Sequence, residues 1–237
     1  MNGIDHLIAN YQPSDYAVQL VHETSITLLV GISGAGKDTI KKKLLEKPDF
    51  RDIVSHTTRQ PRVNNGAPEV PNVDYHFIDD NTAKMMIENR EFIEAKFVHG
   101  TVYGTSVDEL QQSHDQGKIA ITDIDVQGVA EYKELTQSVV AIFVLPPSYA
   151  IWRKRLAQRY ESPEAFEAEW TKRRNSAIKE LTDALEVPYY HFIINDNLER
   201  AVTVADEIAH HGDTFHRKDD EARLRARDLL EAIQHSF

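Results

Sequence analysis

The chain has 237 residues, enough for one large core or two modest ones at the usual scale of roughly 150 residues per domain. Hydrophobic content of 41% and charged content of 27%, with 10 Gly and 9 Pro, exclude a low-complexity or disordered class. A formal net charge of −11 argues against a duplex nucleic-acid partner, and the lack of any Cys excludes disulfides and thiolate metal sites. The histidines are scattered without HExxH spacing. No basic segment followed by an apolar core opens the chain, and the longest clean apolar run, 139–145, is too short to span a bilayer. The expectation is a cytoplasmic protein that binds neither nucleic acid nor membrane.

In chain order, Ile4, Leu7, Ile8 and Tyr11 form one helical stripe that Pro13 ends. An apolar run, 26–30, then leads into GISGAGKD at 31–38 and a helix-like segment carrying Ile40, Leu44 and Leu45. Strand, glycine loop and helix in that order make a P-loop. Its glycines let backbone N–H groups converge on phosphate oxygens, and the helix points its positive end at the same anion. The pattern GxxxxGK is met by Gly31, Gly36 and Lys37, but Asp38 follows the lysine where Ser or Thr normally offers a hydroxyl to magnesium.

Further strand-like runs occupy 52–57, 118–123, 139–145 and 189–194, separated by helical or insert-length sequence. Together with 25–30 they predict a five-stranded parallel sheet in an α/β fold, with helices on both faces. Residues 55–107 do not fit a simple crossover. They combine a loop by composition (64–72), strand-like pieces at 75–78 and 92–98 and a helix-like stretch at 82–89, which predicts an inserted subdomain. A second irregular segment, 146–174, concentrates Arg153, Lys154, Arg155, Arg159, Lys172, Arg173 and Arg174 in an otherwise acidic chain. It reads either as a solvated charged helix pair or as a mobile arginine lid over phosphates. Asp196 with Glu199 predicts a cap for a helix over 198–210. Ala222, Ala226, Leu229, Leu230 and Ile233 predict a docked terminal helix within an extension at 212–237, matched by an N-terminal extension at 1–24.

Four motifs in order narrow the P-loop reading: GISGAGKD, SHTTRQPR at 55–62, VDYHF at 73–77 followed by Tyr103-Gly104-Thr105, and DIDVQG at 123–128. In that order they resemble guanylate kinase, over about residues 25–210. The resemblance implies a P-loop three-layer sandwich with core segments 25–54, 108–147 and 175–211, a GMP-binding subdomain at 55–107 and a mobile lid at 148–174. It implies ATP as co-substrate with Mg²⁺, GMP as acceptor, and a monomer or homodimer.

By the same resemblance, Gly31, Ser33, Gly34, Ala35, Gly36, Lys37, Asp38 and Thr39 bind ATP. Arg59, Arg62, Tyr75 and Tyr103 bind the acceptor phosphate; Ser55, Glu94, Thr105 and Asp123 face the guanine. Two arginines three apart suit a phosphate dianion, and a carboxylate accepts from the N1–H and N2–H₂ edge of guanine. Lys37, Arg155, Arg159 and Arg173 match the family's catalytic cations, and Asp38, Asp123 and Asp125 are the candidate magnesium ligands. Two other readings stay open. The GKD variant also looks like ribose bisphosphate phosphokinases, and the fold is similar to non-catalytic guanylate-kinase-like binding domains of scaffold proteins.

Overall fold

The computed structural model describes residues 3–64, 67–98, 100–212 and 219–236. Two short helices open the chain, α1 (Ile4–Ala9) and α2 (Asp15–Glu23). The predicted stripe packs: Ile4, with Leu7, Ile8 and Tyr11, lies on a cluster of Ala83, Ile87, Phe92 and Val102. The Tyr11 hydroxyl also donates to the Phe92 carbonyl at 2.5 Å, which ties the extension to the sheet behind it. Helix α2 went unannounced in the sequence, although Ser14 caps it by accepting from the Ala17 amide, and Ala17, Leu20 and Val21 are its buried face.

Strand β1 (Ile26–Val30) is buried at every position and leads through the glycine loop into α3 (Lys37–Leu44). The run predicted as one strand at 52–57 is two, β2 (Phe50–Asp52) and β3 (His56–Thr57). After β2 the Ile53 amide still bonds the Ile121 carbonyl, but the Val54 amide turns to a Glu109 carboxylate oxygen at 3.3 Å, which takes the chain out of the ladder. The expected loop at 64–72 carries part of a two-stranded ladder, β4 (Val63–Asn64) with β5 (Ala67–Pro68); residues 65 and 66 of that loop lie outside the described residues.

There follow β6 (His76–Phe77), α4 (Asp80–Glu88), β7 (Phe92–Val98), β8 (Thr101–Ser106) and α5 (Val107–Asp115). Then come β9 (Ile119–Asp123), α6 (Val126–Leu135), β10 (Val140–Leu145), α7 (Tyr149–Ala157) and α8 (Pro163–Glu186). The chain closes with β11 (Tyr190–Ile194), α9 (Leu198–His211) and α10 (Asp219–Gln234). The cap of α9 is Asn197, which accepts from the Arg200 amide, rather than the expected Asp196; that carboxylate is taken by the Asn197 amide and the Arg200 guanidinium. Residues 213–218 of the C-terminal extension are outside the described residues.

The main sheet has the order β11-β10-β1-β9-β2, with parallel pairing such as Leu28 beside Ala141 and Phe143 beside Phe192. Apart from the edge strand β2, its strands are largely apolar runs, as a sheet covered on both faces requires. A second sheet has the order β6-β3-β8-β7, with β7 and β8 antiparallel and Glu94 opposite Thr105. The chain divides into two compact units, one of residues 1–26, 48–122 and 131–138, the other of 27–47, 123–130 and 139–237. Among the described residues no helix is long and apolar enough to cross a membrane.

Candidate active site

In the second unit the glycine loop is built on backbone geometry that only glycine tolerates. Gly31 has φ of +136° and a Cβ there would lie 2.4 Å from the Val144 carbonyl oxygen; Gly36 has φ of +100°, and a Cβ would lie 2.2 Å from Asn195 Nδ2. The loop is held from behind. Asn195 Nδ2 donates to the Ala35 carbonyl at 2.9 Å, and the Trp152 indole donates to the Ser33 carbonyl at 2.8 Å. Lys37 Nζ folds back on the Gly31 carbonyl at 2.5 Å, which leaves its ammonium across the mouth of the loop.

A cavity of about 460 Å³ opens there, lined in part by Gly34, Gly36, Thr39, Arg155, Arg159 and Asn195. Arg155 donates to the Ala35 and Asn195 carbonyls at 3.4 and 3.2 Å, so it braces the loop as well as charging it. Arg159 donates to the Ser33 hydroxyl at 3.3 Å and approaches Asp38 at 3.8 Å. Arg173 is held by the Tyr160 hydroxyl at 2.8 Å. These arginines stand on α7, on the turn after it and on α8, around an aromatic stack of Trp152 and Trp170 with ring centres 5.5 Å apart. Arg153 is different: it stacks on Trp170 and pairs with Glu167, which makes it part of the scaffold.

The carboxylates of this unit do not form a metal cage. Asp38 faces Arg159, Asp123 pairs with Lys41 at 3.2 Å, and Asp125 accepts from the Gly128 amide at 2.7 Å. Among the described residues no group of three or more potential ligands converges. Glu180 on α8 was not foreseen. Burial raises its carboxyl above the ordinary value, while the Ser176 hydroxyl and the charge of Lys37 hold it down.

The first unit contains Ser55, Arg59, Arg62, Tyr75, Glu94, Tyr103 and Thr105. Arg59 is ordered by a bidentate pair with Glu69, at 2.8 and 3.0 Å, and its guanidinium lies 5.2 Å from the centre of the Tyr75 ring. The hydrogen bonds to Glu69 hold Arg59 firmly protonated, and those from Arg59 hold Glu69 below the usual carboxylate range. The rings of Tyr75 and Tyr103 meet edge to face at 6.1 Å. Glu94 is only 8% exposed and Thr105 only 1%. The Thr105 hydroxyl is buried with no hydrogen bond of ordinary distance and angle, although it lies near enough to the Tyr132 hydroxyl to offset part of the upward shift that burial imposes on that phenol. A buried hydroxyl left unsatisfied beside a buried carboxylate is an expensive arrangement that a polar ligand would relieve. Arg62 is exposed, and its amide donates to Glu69 at 2.7 Å.

The guanylate kinase family model matches residues 23–211. The chain belongs to the guanylate kinase family. It is 39% identical over 193 residues to the guanylate kinase of Clostridium perfringens (strain SM101 / Type A), covering 79% of this chain and 85% of that relative. With the guanylate kinase of Geobacter metallireducens it shares 39% identity over 171 residues, covering 72% and 80%. The crystal structure of guanylate kinase from Anaplasma phagocytophilum superposes with a TM-score of 0.59 at 27% identity, over 85% of this chain and 96% of that one. Helix α10 lies beyond the span that the family model matches. Nothing in these similarities favours the ribose bisphosphate or scaffold readings.

Proposed function

We propose that this protein is an ATP-dependent nucleoside monophosphate kinase that transfers the γ-phosphoryl group of ATP to GMP, giving GDP and ADP. The observation that carries the acceptor is the pair formed across the β7–β8 ladder, a buried Glu94 opposite a buried and unsatisfied Thr105 hydroxyl. A carboxylate and a hydroxyl at that spacing complement the N1–H, N2–H₂ and O6 edge of guanine; adenine offers an unprotonated N1 there, which gives the carboxylate no donor. Ser55 and Asp123 are the remaining base-side candidates. Arg59 and Arg62 take the acceptor phosphate, with the phenols of Tyr75 and Tyr103 on its other oxygens.

On the donor side the loop amides from Ser33 to Thr39 hold the β- and γ-phosphates, with Lys37 following the transferred group. Phosphoryl transfer needs in-line positioning and distributed positive charge more than a strong base. Arg155, Arg159 and Arg173 supply that charge, and closure of the α7–α8 lid excludes water that would otherwise hydrolyse ATP. The family implies Mg²⁺ with the nucleotide. Magnesium ordinarily keeps several waters and uses one or two carboxylates besides the phosphates, and the solvent-facing Asp38 beside the loop fits that role. When bound, the ion neutralises charge on the β- and γ-oxygens.

ADP formation with GMP, dGMP, AMP and ribose 1,5-bisphosphate as acceptors tests the reading. GMP is expected to give the highest kcat/KM, with AMP lower by at least about 100-fold, since it leaves buried polar groups unpaired. Preference for ribose 1,5-bisphosphate, or no acceleration by any acceptor, would overturn it.

A further inference from the structure

Asp38 stands where a P-loop ordinarily presents a hydroxyl to magnesium. Here that position carries a full negative charge on the first turn of α3, with a side chain 63% exposed. The cations around it are already engaged: Arg159 with Asp38 itself and the Ser33 hydroxyl, Lys37 with the Gly31 carbonyl, Arg155 with two backbone carbonyls. A metal-free triphosphate entering the loop meets at Asp38 a like charge that a serine or threonine would not impose. A metal-loaded triphosphate brings a hard cation, for which a carboxylate is a better ligand than a hydroxyl.

We propose that Asp38 makes the donor site selective for the metal-loaded nucleotide. Without nucleotide its carboxylate pairs with Arg159; with metal-loaded ATP it turns to the hydrated ion, and Arg159 is released to the phosphates. This inference rests on the donor-site reading above, and it concerns binding rather than turnover.

The test is calorimetric titration of the full chain with β,γ-imido ATP, once in Mg²⁺ and once in EDTA. For the wild type the ratio of Kd in EDTA to Kd in Mg²⁺ is expected to be large. In Asp38→Thr it should fall at least about tenfold, chiefly because the metal-free analogue binds more tightly. Asp38→Asn should move the same way, since it keeps the shape and removes the charge; the exposed position lets at least one of the two fold. A ratio unchanged in Asp38→Thr and Asp38→Asn would overturn the role of Asp38 and leave the nucleotide site standing. No binding of the analogue by the wild type in either buffer would defeat both readings.

Discussion

At the scale of single residues, what decides specificity is which polar groups are buried and what they face. Glu94 is the sharpest case, because a carboxylate only 8% exposed has little water to fall back on when its ligand is altered. Glu94→Gln is nearly isosteric but turns one acceptor into a donor aimed at guanine donors. The GMP KM is therefore expected to rise by about tenfold to 100-fold, with a smaller change in the ATP KM. Steady-state kinetics with each substrate varied checks this, and an unaltered GMP KM would remove Glu94 from the base site. From the sequence, Glu94 was a candidate only through the family resemblance. The sequence did not make Glu69 legible. The loop that carries Glu69 has no periodicity, so nothing local says that its carboxylate clamps Arg59 at 2.8 Å. Glu180 was hidden for a related reason: on a long charged helix, a carboxylate that burial perturbs looks like any solvated neighbour.

Elements were legible where their period was clean and illegible where a tertiary contact overrode it. The strand-like run at 92–98 is the β7 strand and the terminal helix followed its stripe, whereas the run at 52–57 broke in two because a side chain, Glu109, took the Val54 amide. The charged segment at 146–174 is also not a self-contained hairpin, since α8 continues to Glu186. Helix α10 packs antiparallel on the later part of α8, and the two exchange arginines. Arg174 of α8 donates to the Ile233 carbonyl at 2.9 Å, and Arg223 of α10 donates to the Leu185 and Val187 carbonyls at 3.2 and 3.0 Å. Each guanidinium thus satisfies orphan carbonyls at the partner's negative end. Arg223 also stacks 4.9 Å over Phe192, which adds β11 to the joint. Removing either arginine leaves carbonyls unpaired in a partly buried place. Arg174→Ala and Arg223→Ala are each expected to destabilise the protein by about 1–3 kcal/mol. Urea titrations followed by circular dichroism measure this, and midpoints equal to the wild type would show that α10 is held by its apolar face alone.

For the whole molecule, the glycine loop and the residues proposed to bind the acceptor belong to different compact units. The glycine loop and its cations fall in the unit of 27–47, 123–130 and 139–237, whereas the acceptor set from Ser55 to Thr105 falls in the other. Asp123 falls in the unit of the glycine loop and pairs there with Lys41. If donor and acceptor binding are properties of separate units, they should be separable by mutation. Lys37 tests this most directly: its ammonium bonds only the Gly31 carbonyl of its own loop among the hydrogen bonds described, so its removal perturbs no acceptor residue. In Lys37→Ala, transfer should fall by at least about 100-fold, the loss expected when one preorganised charge-stabilising group is removed from a phosphoryl-transfer site. GMP affinity measured by calorimetry without ATP should meanwhile stay within about threefold of the wild type, because no acceptor contact changes. A parallel loss of GMP affinity would mean that the loop lysine also supports the acceptor, and the acceptor site would then have to be redrawn to include it.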